Sequence, residues 1–251
     1  MQNPCLFKTS LKSPGKNQPE IIWLHGWGQN HKSLLPLAGL FKRGFKNTLY
    51  DLPGFGASKM LDPGAGTADY ADVLIDELEG PVILVGHSFG CRVALRIAAK
   101  RPELIRGMVL IAAAGLPRKR RFTFRVKGFF LKILGKAAGA SDSLFKTSFK
   151  PRYRQRFGSR DYREAGDLLA TFIKTVNEDL TETAHKVACP VLLLFGSEDT
   201  ETPPGLGLRY RSLIHHADLK ILKGFDHLGI LTAGQHQCQH YMLKFLQELE
   251  D

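Results

Sequence analysis

The sequence has no apolar run approaching the roughly 20 residues a helix needs to cross a bilayer. A membrane-spanning helix is therefore not expected. Residues 1–20 are polar and interrupted by Pro4, Pro14 and Pro19, without the apolar stretch of a secretory leader, so a cytoplasmic protein is expected. Cysteine is scarce: Cys5, Cys91, Cys189 and Cys238 lie far apart and match no zinc or redox spacing. Free thiols in a reducing compartment follow. No His/Cys/Asp cluster has metal-ligand spacing, and no G-x-G-x-x-G follows an apolar run, so neither metal nor cofactor is expected. No repeat recurs at periods of 20–50 residues. What is present is 251 residues with 43% hydrophobic and 24% charged content, an ordinary globular composition. A chain of that length buries enough surface to fold without staples.

Acidic residues are also few, 24 against 35 Lys+Arg, for a net charge of +11. The imbalance is local. Residues 116–166 hold 15 basic residues and only Asp142, Asp161 and Glu164 as acids, a net charge of +12. The other 200 residues hold 20 basic and 21 acidic residues. A near-neutral body with one basic insert points to an anionic partner.

Short apolar runs end repeatedly in glycine or a turn: Ile21–Leu24, Thr48–Tyr50, Val82–Val85, Met108–Ile111, Val191–Phe195 and Leu219–Leu222. Unbroken runs of this length suit strands buried on both faces of a parallel sheet. Helical periodicity fills the intervals over Thr67–Leu78, Phe89–Lys100 and Tyr241–Leu249. The alternation predicts an α/β fold with a doubly wound, mostly parallel sheet. It stops at Gly115 and resumes at Pro190. Residues 1–115 and 188–251 are thus read as the core and 116–187 as a basic, helical insertion. One or two short antiparallel strands are expected near Leu6–Leu11.

Gly86-His87-Ser88-Phe89-Gly90 reads G-x-S-x-G, between an apolar run and a helical segment. A serine on a tight strand-to-helix turn projects its hydroxyl from the sheet, and flanking glycines keep the turn free of clashes. The bland alternative is an ordinary glycine-rich turn. A serine nucleophile also needs a base. His227 follows the last apolar run, and Asp199 follows the run before it. The order Ser88, Asp199, His227 places all three at carboxyl ends of parallel strands, where open α/β sheets bind ligands.

These residues resemble the α/β-hydrolase family over nearly the whole chain. His25-Gly26-Trp27-Gly28 sits where that family has its H-G-x-x oxyanion loop. Asp51-Leu52-Pro53-Gly54-Phe55-Gly56-Ala57-Ser58 matches its D-x-P-G-x-G-x-S loop. Gly196-Ser197-Glu198-Asp199 with Pro203 matches its acid turn, and Gly224-Phe225-Asp226-His227 its histidine loop. Asp226 stands where a small residue is usual. The resemblance implies a Ser88–His227–Asp199 triad, an acyl-enzyme on Ser88 and an oxyanion hole from the backbone N–H groups of Trp27 and Phe89. It also implies that the insertion is a cap, or lid. The loops look most like small cytoplasmic carboxylesterases, among them one that removes a methyl ester from a carrier-bound acyl chain.

Other residues compete for these roles. Glu198 and Glu201 flank Asp199, and turn spacing selects Asp199. His25 is read as a structural support of its loop, His87 as a wall of the pocket, and Asp51 as ordering its own loop. His31, His185, His236 and His240 have no evident partner, and His215-His216 is read as a solvated pair.

Within the insertion, Phe122–Lys136 is amphipathic, with Arg121, Arg125, Lys132 and Lys136 on one face. It is read as a cap helix with solvated charges, as a recognition surface for an acidic substrate or carrier, or as a membrane-surface helix. Arg118, Lys119, Arg120, Arg121 and Arg125 are the candidate partner-binding residues. Basic residues interleaved with aromatics can also bind nucleic acid, but no nucleic-acid-binding fold accompanies them. The expectation is a monomeric or weakly dimeric serine hydrolase for a small ester or an acyl-carrier-bound ester or thioester. A C–C bond hydrolase and a hydrolase-fold binding protein tethered by its lid are the alternatives.

Overall fold

The computed structural model describes residues 5–11, 19–117 and 160–250. Arg118, Lys119, Arg120, Arg121, Arg125 and the amphipathic segment Phe122–Lys136 lie outside the described residues.

The apolar runs become strands because they bury side chains on both faces. The strands are β1 (Lys8–Leu11), β2 (Glu20–Leu24), β3 (Lys46–Tyr50), β4 (Val82–His87), β5 (Ile105–Ile111), β6 (Val191–Gly196) and β7 (Ala217–Leu222). They form one sheet in the order β1-β3-β2-β4-β5-β6-β7, parallel except for β1 against β3. The helices are α1 (Leu35–Gly39), α2 (Thr67–Ile75), α3 (Phe89–Lys100), α4 (Arg160–Glu164), α5 (Leu169–Asn177), α6 (Thr181–His185), α7 (Pro204–Leu213) and α8 (Gln235–Glu248). Helices α4, α5 and α6 fall between β5 and β6, within the stretch read as an insertion.

Alternation along β2 separates the two cores. Ile21 and Trp23 pack with Leu37 of α1 and Met242 and Leu246 of α8. Ile22 and Leu24 belong to the opposite cluster, with Leu74 of α2, Val93 of α3, Ala184 of α6 and Tyr210 of α7. Each fully buried Leu or Ile contributes about 1.5–3 kcal/mol relative to its exposed state. α3 ends at Lys100 because Arg101 precedes Pro102, which disfavours helical geometry in the residue before it. β7 departs from the buried-strand expectation. It lies at the sheet edge, with Ile221 47% exposed and Lys220 paired to Asp218 at 2.8 Å. Charged side chains on an edge discourage pairing with another chain.

The chain moves from β2 outward to β3, then crosses back to place β4 on the other side of β2. The carboxyl ends of β2 and β4 therefore flank the crevice where connections diverge, the usual ligand position of such sheets. Among the described residues, no helix is long and apolar enough to cross a membrane.

Candidate active site

β4 passes into α3 through one residue, Ser88, held at φ 50° and ψ −102°. A non-glycine residue in this region costs on the order of 1–3 kcal/mol, and its surroundings must enforce it. Here the Ser88 N–H donates to Ile111 O at 3.0 Å, and Cys91 N–H donates to Ser88 O at 3.2 Å. Both flanking glycines are sterically required. A Cβ on Gly90 would lie 2.1 Å from Leu24 O, and one on Gly86 would lie 2.7 Å from Cys91 N. The turn thus packs the start of α3 against the end of β2.

That packing sets the loop His25–Gly28 beside the serine. The Trp27 ring stands edge-on to Phe89 at 5.2 Å and meets Phe172 of α5 at 5.0 Å. The N–H groups of Trp27 and Phe89 make no hydrogen bond among the described residues. The first turn of α3 carries no acidic residue, so its N-terminal partial charge is available to an anion. His25 supports this loop as expected: Nδ1 lies 2.8 Å from Gly26 O, and Nε2 accepts the Leu52 N–H at 2.9 Å. Burial lowers its pKa to about 4, so the ring is neutral at pH 7.

Asp51 orders its loop by accepting from His31 N–H at 2.7 Å and Ala57 N–H at 2.9 Å. His31, without an evident partner in the sequence, also places Nδ1 2.8 Å from Asp51 Oδ1. Burial opposes ionisation of Asp51, and the bonds from His31 and Ala57 outweigh it, lowering its pKa.

On the far side of the cleft, His227 Nδ1 lies 2.8 Å from Asp199 Oδ2. Asp199 is 3% exposed and also accepts from Glu201 N–H at 2.8 Å and Thr202 N–H at 2.7 Å. Burial raises its pKa, but the bonds from His227 and Thr202 win, and the carboxyl is held below its usual range. Asp199 alone of the three candidate acids meets Nδ1. Glu198 is exposed, and Glu201 approaches the other ring nitrogen, with Oε2 3.6 Å from His227 Nε2. No hydrogen bond joins Ser88 Oγ to His227 Nε2, but both side chains line one cleft of about 960 Å³, with Trp27, Glu201 and Phe172. Catalytic hydrogen bonds are often long before substrate binds.

Two supporting residues were not singled out for what they do here. The Thr202 hydroxyl lies 2.7 Å from Asp199 Oδ2, 3.0 Å from Ala112 O and 3.2 Å from His227 Nδ1, tying the acid turn to the end of β5. Its only signal in the sequence is a hydroxyl residue three positions after Asp199. His87, expected as a pocket wall, does line the cleft, and its Nε2 lies 3.1 Å from His227 O. A carbonyl only accepts, so Nε2 carries the proton and Nδ1 does not. Burial, reinforced by the nearby His227, lowers the His87 pKa to about 3. Asp226 has a local purpose. Its Oδ1 accepts from Leu228 N–H at 3.2 Å and Gly229 N–H at 2.6 Å, closing the turn that carries His227. Cys91, three residues from Ser88, is buried, which pushes its thiol pKa up and removes it as a competing nucleophile.

Comparison with known proteins agrees with this architecture. A pimeloyl-[acyl-carrier protein] methyl ester esterase of Neisseria meningitidis serogroup B is 26% identical over 232 residues, covering 86% of this chain and 88% of that one. One of the same name from Shewanella woodyi is 36% identical over 104 residues, covering 41% of this chain and 39% of the relative. A thermophilic esterase from Thermogutta terrifontis superposes with a TM-score of 0.71 at 20% identity, covering 98% of this chain and 94% of that one. Residues 21–237 match the model of the alpha/beta hydrolase family, from the first parallel strand to the start of α8. With that match over most of its length, the chain belongs to the alpha/beta hydrolase family.

Proposed function

We propose that the protein is a serine esterase in which Ser88 is the nucleophile, His227 the general base and Asp199 the residue that orients the base. The observation that carries this reading is a buried Asp199–His227 pair at 2.8 Å in the same cleft as a serine on a strained strand-to-helix turn. A serine hydroxyl is a weak nucleophile until a base takes its proton. With Nδ1–H donated to Asp199, the His227 Nε2 lone pair faces the cleft and accepts the Ser88 proton as Oγ attacks the ester carbonyl. Asp199 stabilises the imidazolium that results. The tetrahedral oxyanion receives hydrogen bonds from the Trp27 and Phe89 N–H groups. Each donor of this kind is worth about 3–4 kcal/mol in the transition state. His227 then protonates the departing alkoxide, leaving an acyl group on Ser88. Water, deprotonated by the same nitrogen, attacks the acyl group; His227 then returns that proton to the departing Ser88 Oγ, and the carboxylic acid released loses its own proton to solvent.

The substrate class proposed is a carboxylic ester on a chain attached to an acidic carrier protein. Two observations support it: the names of the relatives, and the net charge of +12 on residues 116–166, suited to an anionic partner. The test is covalent labelling with a fluorophosphonate. Parent protein should label at Ser88, and Ser88→Ala should neither label nor turn over p-nitrophenyl esters while retaining its circular dichroism spectrum. Equal labelling of Ser88→Ala would remove the assignment.

A further inference from the structure

The cleft holds a carboxylate the mechanism does not use. Glu201 is exposed and lines the cleft, and its Oε2 stands 3.6 Å from His227 Nε2. Its backbone is fixed, because the Glu201 N–H donates to Asp199 Oδ1 at 2.8 Å within the turn that holds the acid. Glu201 thus sits beside the nitrogen that, under the function proposed above, exchanges protons with the leaving group and with water. On the described wall it is accompanied by Asp161, Glu164, Glu178 and Asp179. Asp179 is engaged with Thr181, and Glu178 with Thr67 and Arg96, while Glu201 is, among the described contacts, the one of the five that approaches His227 Nε2. Arg92 also lines the cleft, and its guanidinium donates to Thr175 O at 2.8 Å.

We propose that Glu201 is a charge-selecting residue, which disfavours anions at the scissile carbonyl so that a neutral ester enters and the carboxylate product is expelled. The inference rests on the esterase reading and adds a direction to it. Hydrolysis consumes an ester and water and yields an alcohol and a carboxylic acid, which loses its proton to solvent near neutral pH. The group at the reacting carbon therefore changes from neutral to anionic in one turnover. A product carboxylate oxygen about 3 Å from Nε2, approaching at roughly a right angle to the Glu201 direction, lies about 5 Å from Glu201 Oε2. Two like charges at that separation in a water-like dielectric repel by an amount equivalent to roughly 4-fold in affinity. For a carrier-linked monoester the consequence is specific. Charges on the carrier can meet the basic insertion while the reacting end binds about 4-fold less well once it is charged, so Glu201 biases the site toward the ester over the free acid on the same carrier.

The test compares butyrate with butanamide, a neutral molecule of the same shape, as ligands of the parent, Glu201→Gln and Glu201→Lys. Binding is measured by calorimetry and by inhibition of p-nitrophenyl butyrate hydrolysis. The expected result is butyrate binding about 4-fold tighter in Glu201→Gln and about 15-fold tighter in Glu201→Lys, with butanamide changing less than about 2-fold. The butyrate gain should shrink between ~0.05 and ~0.5 M salt. Butyrate affinity that is the same in all three proteins, or a parallel gain for butanamide, overturns the proposal. The calorimetric ratio does not require turnover. A failure of the esterase reading, seen as unchanged activity in Ser88→Ala, is therefore distinguishable from a failure of charge selection.

Discussion

Lowering the pH from 7 to 5 should destabilise this protein through two histidines that take no part in the proposed chemistry. His25 and His87 are both fully buried, and burial lowers their pKa values from 6.5 to about 4 and about 3. As pH falls through 6.5 the unfolded chain protonates both rings, while the folded protein leaves them neutral until about 4 and about 3. Unfolding therefore takes up protons in this window, and stability falls with pH. The stabilisation is fully present above 6.5 and disappears progressively down to the folded values. Linkage gives a loss of about 2 kcal/mol per histidine between pH 7 and pH 5, or about 4 kcal/mol for the pair. For a chain of this size that corresponds to a midpoint lower by about 8–16 °C. Asp51 and Asp199, whose pKa values are lowered, behave differently. Their stabilisation is intact above the ordinary carboxyl value of 3.8 and is lost only as pH falls below it, so they add no slope between pH 7 and 5. The assay is urea unfolding at both pH values for the parent, His25→Asn and His87→Gln. Each variant loses some stability at pH 7, because it gives up a buried hydrogen bond. Each should also recover about 2 kcal/mol of the pH-dependent loss, because the replacement does not titrate. If both variants lost as much stability as the parent on acidification, the assignment of buried neutral rings would be refuted.

Asp199→Asn should lower kcat for p-nitrophenyl butyrate by about 10³–10⁴-fold, since an amide cannot hold the same tautomer of His227 or balance its positive charge. Thr202→Val should cost about 10-fold through a less well-oriented acid, the effect of losing one hydrogen bond of about 1.5 kcal/mol, with Thr202→Ser restoring the rate. Replacing Arg118, Lys119, Arg120 and Arg121 together with Gln should reduce kcat/KM for a carrier-linked ester several-fold at ~0.05 M salt and leave a small neutral ester nearly unaffected. A steady-state series in rising salt checks this, because the parent should converge on the variant as screening increases.

The core of the fold was legible because its signals are local. A strand buried on both faces is a run of apolar residues, and β2, β4, β5 and β6 all read that way. The limits of α3 were equally clear, since Ser88 and Pro102 bracket it. α8 was harder. It begins at Gln235, six residues before the expected start at Tyr241, because its first turns bury little besides Cys238 and show water mostly polar side chains. The edge position of β7 could not be read from its composition. It follows from strand order, which a run of four residues does not encode.

The site divides along the same line. Ser88, Asp199 and His227 were nameable because each sits in a turn whose glycines or spacing are written in consecutive residues. The groups that tune them were not, because their roles come from loops brought together across the sheet. His87 meets the carbonyl of His227 across 140 residues of sequence, and Thr202 reaches the carbonyl of Ala112 across 90. Charge makes the point most sharply. Counted along the chain, the dominant feature is the excess of 12 positive charges in residues 116–166, and it argues for an anionic partner. In space, the charged side chain beside His227 Nε2, the nitrogen proposed as the base, is Glu201, 3.6 Å away, and it argues for a neutral reacting group. The two do not conflict. Coulomb energy falls with distance, and salt removes most of it between exposed charges more than about 8 Å apart. Under the two proposals above, the net charge of the insertion acts on how a partner arrives, while the carboxylate of Glu201 acts on what stands at the carbonyl. A carrier-bound ester meets both conditions, being anionic as a whole and neutral where it reacts.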